Sequence, residues 1–215
     1  MNQSKTFVIT ISRQLGSGGA YIGQQLAKKL DIFYADREII SKIARQLSVL
    51  EEDLAPNDEK ILSFWESFLQ FNIITSDVYV PPKLLVPTDR ELFQAEVEMI
   101  EHLAKERSAV IIGRCGSYIL RDYPNRISIY LHGDNASRNI RIQKLYKVSE
   151  EAAEKMMEQS DKQRARYCKI VTSKEWEWTD TRNYDISINT SKIDVDKCVE
   201  LILNYLNLIE LRVKD

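Results

Sequence analysis

The sequence predicts an α/β protein built on a doubly wound parallel sheet of five strands with helices on both faces. Short β-branched runs alternate with amphipathic helical patterns along the 215-residue chain. Several of these runs are apolar almost throughout, as in strands that are covered on both faces. A cluster of small residues separates the first strand from the first helix, which is where such sheets bind ligands.

The first strand–helix unit begins near the N-terminus. Residues 7–11 read FVITI and form the first predicted strand. Ile22, Leu26 and Leu30 then recur every fourth residue, which is the spacing of one buried helix face. Strand, glycine turn and helix therefore follow one another directly.

The second unit has the same order. Residues 32–34 form a short strand, and the helix after it is predicted to bury Ile39, Ile43 and Leu47. Asp36 lies at the junction, where its carboxylate can cap the helix.

The next part of the chain is less regular. Residues 51–88 contain a helical pattern followed by a stretch that prolines interrupt. Residues 88–107 are predicted to be helical again. We therefore expect an insert over residues 51–107, on the side of the domain where a second ligand would bind. The apolar residues predicted to face inward on its last helix are Leu92, Val97, Ile100 and Leu103.

The remaining elements complete the alternation. The three later strands are predicted within SAVIIGR, RISIYLH and YDISINT. The three later helices are predicted over residues 134–146, 149–168 and 194–211. We expect the whole chain, 1–215, to form one domain, in which residues 134–183 contribute lid-like helices.

Composition excludes several function classes. The chain has 30 basic and 32 acidic residues, so its net charge gives no indication of nucleic-acid binding. No apolar segment approaches the roughly 20 residues of a membrane-spanning helix. Cys115, Cys168 and Cys198 are odd in number and match no metal-ligand spacing. We therefore expect a soluble protein of a reducing, cytoplasmic compartment, with no nucleic acid or membrane as partner.

The small residues after the first strand are Gly16, Ser17, Gly18 and Gly19. Glycines here let the backbone turn tightly and aim several N–H groups at one point, and the following helix adds its positive end. These four residues are predicted to bind the phosphates of a nucleotide. The alternative is a tight turn without a ligand.

The loop lacks two side chains of the common pattern G-x-x-x-x-G-K-[ST]. When Gly18 is aligned with the second glycine, Gly19 occupies the lysine position and Ala20 occupies the position of the metal-binding hydroxyl. Arg13 falls on the first glycine, and its forked guanidinium suits phosphate oxygens. Arg13 is the predicted replacement for the lysine, unless it is only a solvated or structurally paired arginine.

Five segments together resemble the cytidylate kinase-like family of P-loop kinases. They are ITISRQLGSGG, FYADREII, VIIGRCGSYIL, DKQRARY and YDISINTSKI, in this order. The similarity covers nearly the whole chain. The family's loop has a similar lysine-free pattern, so the resemblance implies that the missing lysine is a family feature.

The resemblance also implies an acceptor site. Gly113 and Arg114 end the third strand and resemble the pair with which cytidylate kinases hold the substrate monophosphate. Cys115 stands where an aspartate usually follows. Asp36 is predicted to border this site, and the alternative is that it only caps a helix. Gln94 is predicted to contact a base edge of the acceptor, and the alternative is a plain surface glutamine.

A charged cluster falls where the family has its lid. Arg138 and Arg141 share one helix face, and Arg164 lies one helix further, beside Asp161. The resemblance implies that the three arginines close over the transferring phosphoryl group and that Asp161 lies on the substrate side. The alternative is a solvated helical hairpin held by weak ion pairs.

These observations predict an ATP-dependent phosphotransferase that uses Mg²⁺ and acts on a nucleoside monophosphate, CMP or a similar pyrimidine nucleotide. Arg13, Arg138, Arg141 and Arg164 are the predicted catalytic cations, and no protein ligand for a metal is predicted. Two alternatives stay open: a nucleotide-binding regulatory protein without efficient turnover, and a kinase of another small metabolite. The oligomeric state is not predicted.

Overall fold

A computed structural model describes residues 6–40, 90–172 and 176–209. Its sheet has five parallel strands in the order β2-β3-β1-β4-β5. The strands are β1 (Val8–Arg13), β2 (Phe33–Ala35), β3 (Ala109–Ile112), β4 (Arg126–His132) and β5 (Ile186–Asn189). The fold class predicted from the sequence is confirmed.

Six helices accompany these strands in the described parts of the chain. They are α1 (Gly19–Leu30), α2 (Arg90–Glu106), α3 (Gly116–Ile119), α4 (Asn135–Tyr146), α5 (Glu150–Val171) and α6 (Val195–Leu208). Residues 37–40 are also helical. The predicted positions Ile43, Leu47 and Leu92, and most of the predicted insert, lie outside the residues whose side chains are described.

The two faces of the sheet have separate apolar cores. On one face, β1 and β4 pack against α1 and α6 through side chains such as Ile9, Leu26 and Ile202. On the other face, Met99 and Leu103 of α2 pack against β2 and β3. This two-sided burial explains why β3 is apolar at every position.

Two smaller clusters place α4 and α5 at the carboxyl end of the sheet. Leu15 packs with Ile142 of α4 and with Met157 of α5. Farther along α5, Cys168 packs with Tyr130 of β4 and with the buried Trp178. Helices α4 and α5 therefore rest on residues that follow β1 and β3 and on β4 itself.

Strand β1 is longer at its carboxyl end than the sequence pattern predicts. The apolar run ends at Ile11, yet Ser12 and Arg13 still pair with Tyr130 and Leu131 of β4. Arg13 is thus the last residue of a central strand. Its backbone position is fixed by the sheet, which sets the direction of its side chain.

Candidate phosphate and acceptor site

The glycine loop between β1 and α1 has the backbone of an anion site. Gly16 and Gly18 have φ angles of 82° and 79°, which side chains other than glycine rarely adopt. Gly18 caps α1, and neither a capping side chain nor an acidic residue in the first turn of α1 neutralises its positive end. Ser17 is buried and its hydroxyl donates to the carbonyl of Gln14 at 2.8 Å. The N–H groups at the start of α1 are therefore suited to phosphate oxygens.

Arg13 excludes a side chain from the position where a lysine usually follows such a loop. A Cβ added at Gly19 would lie 2.8 Å from both Cβ and Cγ of Arg13. A Cβ added at Gly113 would collide with the guanidinium of the same arginine. The side chain of Arg13 therefore runs from the start of α1 to the end of β3. It joins the phosphate loop to the predicted acceptor side.

A cavity of about 220 Å³ opens beside this guanidinium. Five arginines line it, and the described residues place no carboxylate in its wall. These five are Arg13, Arg37, Arg114, Arg164 and Arg166. Such a concentration of positive charge matches a ligand that carries phosphate groups.

Arg114 is placed as the acceptor prediction requires, but it already has an anionic neighbour. It is buried and forms an ion pair with the fully buried Glu96. Its guanidinium carbon lies 4.0 Å from the ring centroid of Tyr167, whose hydroxyl donates to Glu96 at 3.0 Å. One face of the guanidinium is therefore held by α2 and α5, while its buried Nε has no acceptor among the described residues.

Arg37 lies in the same wall, although the sequence analysis did not select it. Burial lowers the pKa of its guanidinium, and the positive charge of Arg114 lowers it further. Arg164 is in the same situation, because burial and then the charge of Arg13 lower its pKa. An arginine stays protonated under these conditions. A bound anion would offset the repulsion among these neighbouring cations.

Arg138 and Arg141 support the phosphate loop from the side away from the cavity. The Nε of Arg138 donates to the carbonyl of Leu15 at 2.7 Å. Arg141 donates to the carbonyl of Gly16 at 3.2 Å and to the Oγ1 of Thr190 at 2.9 Å. Neither arginine lines the cavity. The structure gives both residues contacts that fix the loop, and their predicted catalytic role stays a prediction.

Asp161 connects the lid-like helix α5 to the loop. Its carboxylate accepts from the backbone N–H of Leu15 at 3.2 Å and from Arg164 at 3.0 Å, and it forms an ion pair with Arg138. Three donors therefore share the two oxygens. This arrangement positions the glycine loop and Arg164, and the predicted substrate-side role of Asp161 stays a prediction.

The last two predicted substrate residues, Asp36 and Gln94, are not among those that line the cavity. Asp36 accepts from the backbone N–H of Ile39 at 3.1 Å, which is the capping role that the sequence left open. Burial raises the pKa of its carboxyl group. Gln94 is exposed and donates to Glu98, one turn along α2, at 3.0 Å. Gln94 thus has the contacts of the surface alternative.

Sequence similarity identifies the family. The model of the cytidylate kinase-like family matches residues 8–192. The chain belongs to the cytidylate kinase-like family. Cytidylate kinases of two Saccharolobus islandicus strains are 24% identical to it over 204 residues, which cover 94% of this chain and 92% of theirs.

Solved structures show the same fold. A protein of uncharacterised function from Eubacterium ventriosum aligns with a TM-score of 0.69 and 27% identity, over 94% of this chain and 99% of that one. A shikimate kinase from Bacteroides thetaiotaomicron aligns with a TM-score of 0.50 and 13% identity, over 94% and 98%. Family membership supports a phosphotransferase that acts on a nucleotide or another small molecule.

Two further observations concern membrane-spanning helices and the state of the cysteines. None of the described helices is long and apolar enough to cross a membrane. Cys115, which follows Arg114, is joined by a disulfide to Cys168 of α5, and their Cα atoms are 5.9 Å apart. The sequence predicted a reducing compartment and gave no indication of this pair, since 53 residues separate the two.

Proposed function

We propose that this protein transfers the γ-phosphoryl group of ATP to a nucleoside monophosphate, with CMP or a similar pyrimidine nucleotide as the acceptor. The observation that carries the proposal is the cavity with five arginines beside the glycine loop. Two polyanions must be brought together in such a reaction, and positive charge from several directions offsets their repulsion. The cytidylate kinases of Saccharolobus islandicus are relatives over most of the chain.

The N–H groups of residues 16–19 would bind the phosphates of ATP. Arg13, which reaches from Gly19 to Gly113, would lie between donor and acceptor phosphates and stabilise the charge that develops during transfer. Arg37 and Arg114 would hold the acceptor phosphate, because both line the wall on the far side of Arg13. Catalysis in this scheme needs alignment and charge neutralisation, and no covalent nucleophile.

The described residues are better suited to bind a nucleoside triphosphate than to bind a metal ion directly. Ala20 offers no hydroxyl at the usual magnesium-binding position, and the described residues contain no group of three side chains suited to a metal ion. Mg²⁺ commonly keeps several waters and is held largely by the phosphates of its nucleotide. When bound in this way, it would neutralise part of the phosphate charge.

The lid-like helices would limit water at the transferring group. Arg164 and Arg166 of α5 reach the cavity, and Asp161 on the same helix holds the loop. Closing α5 over bound nucleotides would bring both guanidiniums nearer to the phosphates.

An ADP-release assay tests the proposal directly. Purified protein with ATP and Mg²⁺ is offered CMP, dCMP, UMP, AMP and GMP in turn, with no acceptor as the blank. We expect ADP to form with a pyrimidine monophosphate, and Arg37→Ala to raise the KM for that acceptor more than the KM for ATP. Arg182→Ala is the matched control, since Arg182 is exposed, pairs with Asp180 and does not line the cavity.

A nucleotide-binding regulatory protein is the second candidate, and the missing lysine and hydroxyl favour it. It would show a thermal shift with ATP and no ADP release with any acceptor. ADP release with a hydroxylated metabolite, and with none of the nucleotides, would identify a kinase of a different small molecule.

A further inference from the structure

We propose that Cys115 and Cys168 form a reversible thiol–disulfide site that fixes α5 to the end of β3. The modification is thiol–disulfide exchange, and its reaction partners are small thiols and disulfides. The proposal depends on the position of this pair and not on phosphoryl transfer.

The pair connects two segments that otherwise meet only through side chains. Cys115 follows Arg114 at the end of β3, and Cys168 follows Tyr167 on α5. Arg114 and Tyr167 are already in cation–π contact, so the disulfide is a covalent bond beside a non-covalent one. The separation of the Cα atoms, 5.9 Å, is in the range that disulfides require.

The surroundings of the pair favour exchange. Both cysteines line the cavity that holds five guanidiniums. Positive charge stabilises a cysteine thiolate, both as the group that leaves and as the reduced product. The residues are only 5% and 8% exposed, so a small reagent that enters the cavity has access and a large one does not. The free Cys198 differs, because burial raises the pKa of its thiol.

Opening the bond takes two steps. A small thiolate attacks one sulfur, the S–S bond breaks, and the other cysteine leaves as a thiolate. A second thiol then resolves the mixed disulfide. Two electrons pass from the reagent to the protein, the reagent becomes a disulfide, and the two cysteines take up protons as the pH requires.

The bond affects the arginines of the lid-like helix. Arg164 lies four residues before Cys168, so both side chains are on one face of α5. Fixing Cys168 therefore keeps the guanidinium of Arg164 turned toward the cavity. Opening the bond leaves non-covalent contacts at this point, namely those of Tyr167 with Arg114 and Glu96 and the packing of Cys168 in its apolar cluster.

Thiol counting by mass spectrometry tests the bond itself. Protein purified without reductant, then denatured and alkylated, should carry one added group on Cys198, and three after treatment with dithiothreitol. Mixtures of reduced and oxidised glutathione should give both forms of the folded protein. Three added groups before reduction, or a bond that no glutathione mixture opens, would overturn the proposal.

Hydrogen exchange tests the effect on α5. Reduction should raise deuterium uptake at least several-fold in peptides covering residues 161–171 and leave α6 unchanged. Cys115→Ser and Cys168→Ser should show the high uptake with or without dithiothreitol, and Cys198→Ser should respond as the wild type does. Equal uptake before and after reduction refutes the attachment. Because no nucleotide is used, failure here is independent of the kinase proposal.

Discussion

Replacing Arg13 with alanine should separate phosphoryl transfer from ATP binding. The glycine loop keeps its N–H groups in this variant, so ATP should still raise the melting temperature. The variant lacks the guanidinium that lies between the loop and Gly113, and this cation would stabilise the charge that develops during transfer. We therefore expect a large fall in kcat and a small change in the KM for ATP.

The magnitude follows from the position of the guanidinium. One unit charge about 4 Å from another contributes about 4 kcal/mol at an effective dielectric constant of 20. At 1.36 kcal/mol for each factor of ten, that is a loss of about 10³ in rate. This agrees with the lower end of the range of about 10³–10⁵ for an arginine that stabilises phosphoryl transfer. The lower end is expected because four other arginines line the same cavity.

A double substitution tests whether Arg13 replaces the lysine. Gly19→Lys alone should destabilise the fold, because a Cβ at residue 19 would lie 2.8 Å from two side-chain carbons of Arg13. Arg13→Gly with Gly19→Lys removes that clash and restores the common loop pattern. We expect the double variant to be more active than Arg13→Gly alone.

The assay is ADP release with the best acceptor of the panel, and Arg182→Ala is the control for losing an exposed arginine. If Arg13→Ala keeps the turnover of the wild type, the replacement hypothesis is wrong. The same conclusion follows if Gly19→Lys is tolerated in the presence of Arg13 and raises activity.

Three other predictions concern stability. Asp161→Asn should lower the free energy of unfolding, measured in urea, by about 2–3 kcal/mol, because two guanidiniums and a backbone N–H interact with its carboxylate. The control is Glu158→Gln, which removes an exposed carboxylate and should change this free energy by under about 0.5 kcal/mol. The N–H and hydroxyl of Ser137 and the hydroxyl of Ser191 lower the pKa of Asp134 from 3.8 to about 2. The contribution of this carboxylate to the stability of the folded state is therefore complete above pH 3.8 and is lost as the pH falls toward 2. Acid titrations followed by circular dichroism should show a smaller loss for Asp134→Asn, and an equal loss would contradict this assignment. Dithiothreitol should lower the free energy of unfolding by about 4 kcal/mol and the Tm by roughly 8–16 °C, because reduction opens the 53-residue loop between Cys115 and Cys168. The Cys198→Ser variant should respond in the same way. An unchanged Tm would show that the disulfide does not close this loop in solution.

Local patterns were sufficient to predict the sheet. The stretch RISIYLH coincides with β4, because its apolar residues are buried on both faces. Strand β1 was predicted too short, since Ser12 and Arg13 are polar and pair only through their backbones. The pairing partner in β4 that extends the strand is more than a hundred residues away, and no local pattern contains it.

The candidate site was predicted only where a local feature marked it. Arg13 ends β1 and Arg114 follows β3, and both line the cavity. Arg37 follows β2 in a similar way, so its position after a strand was a usable signal for this site as well. Glu96 and Tyr167 gave no signal, because a carboxylate on one helix and a phenol on another meet only after folding.

The contacts of α4 and α5 determine which part of the lid can move. Arg138 and Arg141 attach α4 to the carbonyls of Leu15 and Gly16, so this helix cannot turn without deforming the phosphate loop. The disulfide holds α5 near its other end. Between these two attachments, Asp161 holds α5 to the backbone of Leu15 and to Arg138, so in the oxidised protein this helix is fixed both at its middle and near its end. Breaking the S–S bond would leave the part of α5 after Asp161 held by non-covalent contacts alone, so the redox state would set how far the end of this helix can move without disturbing the glycine loop.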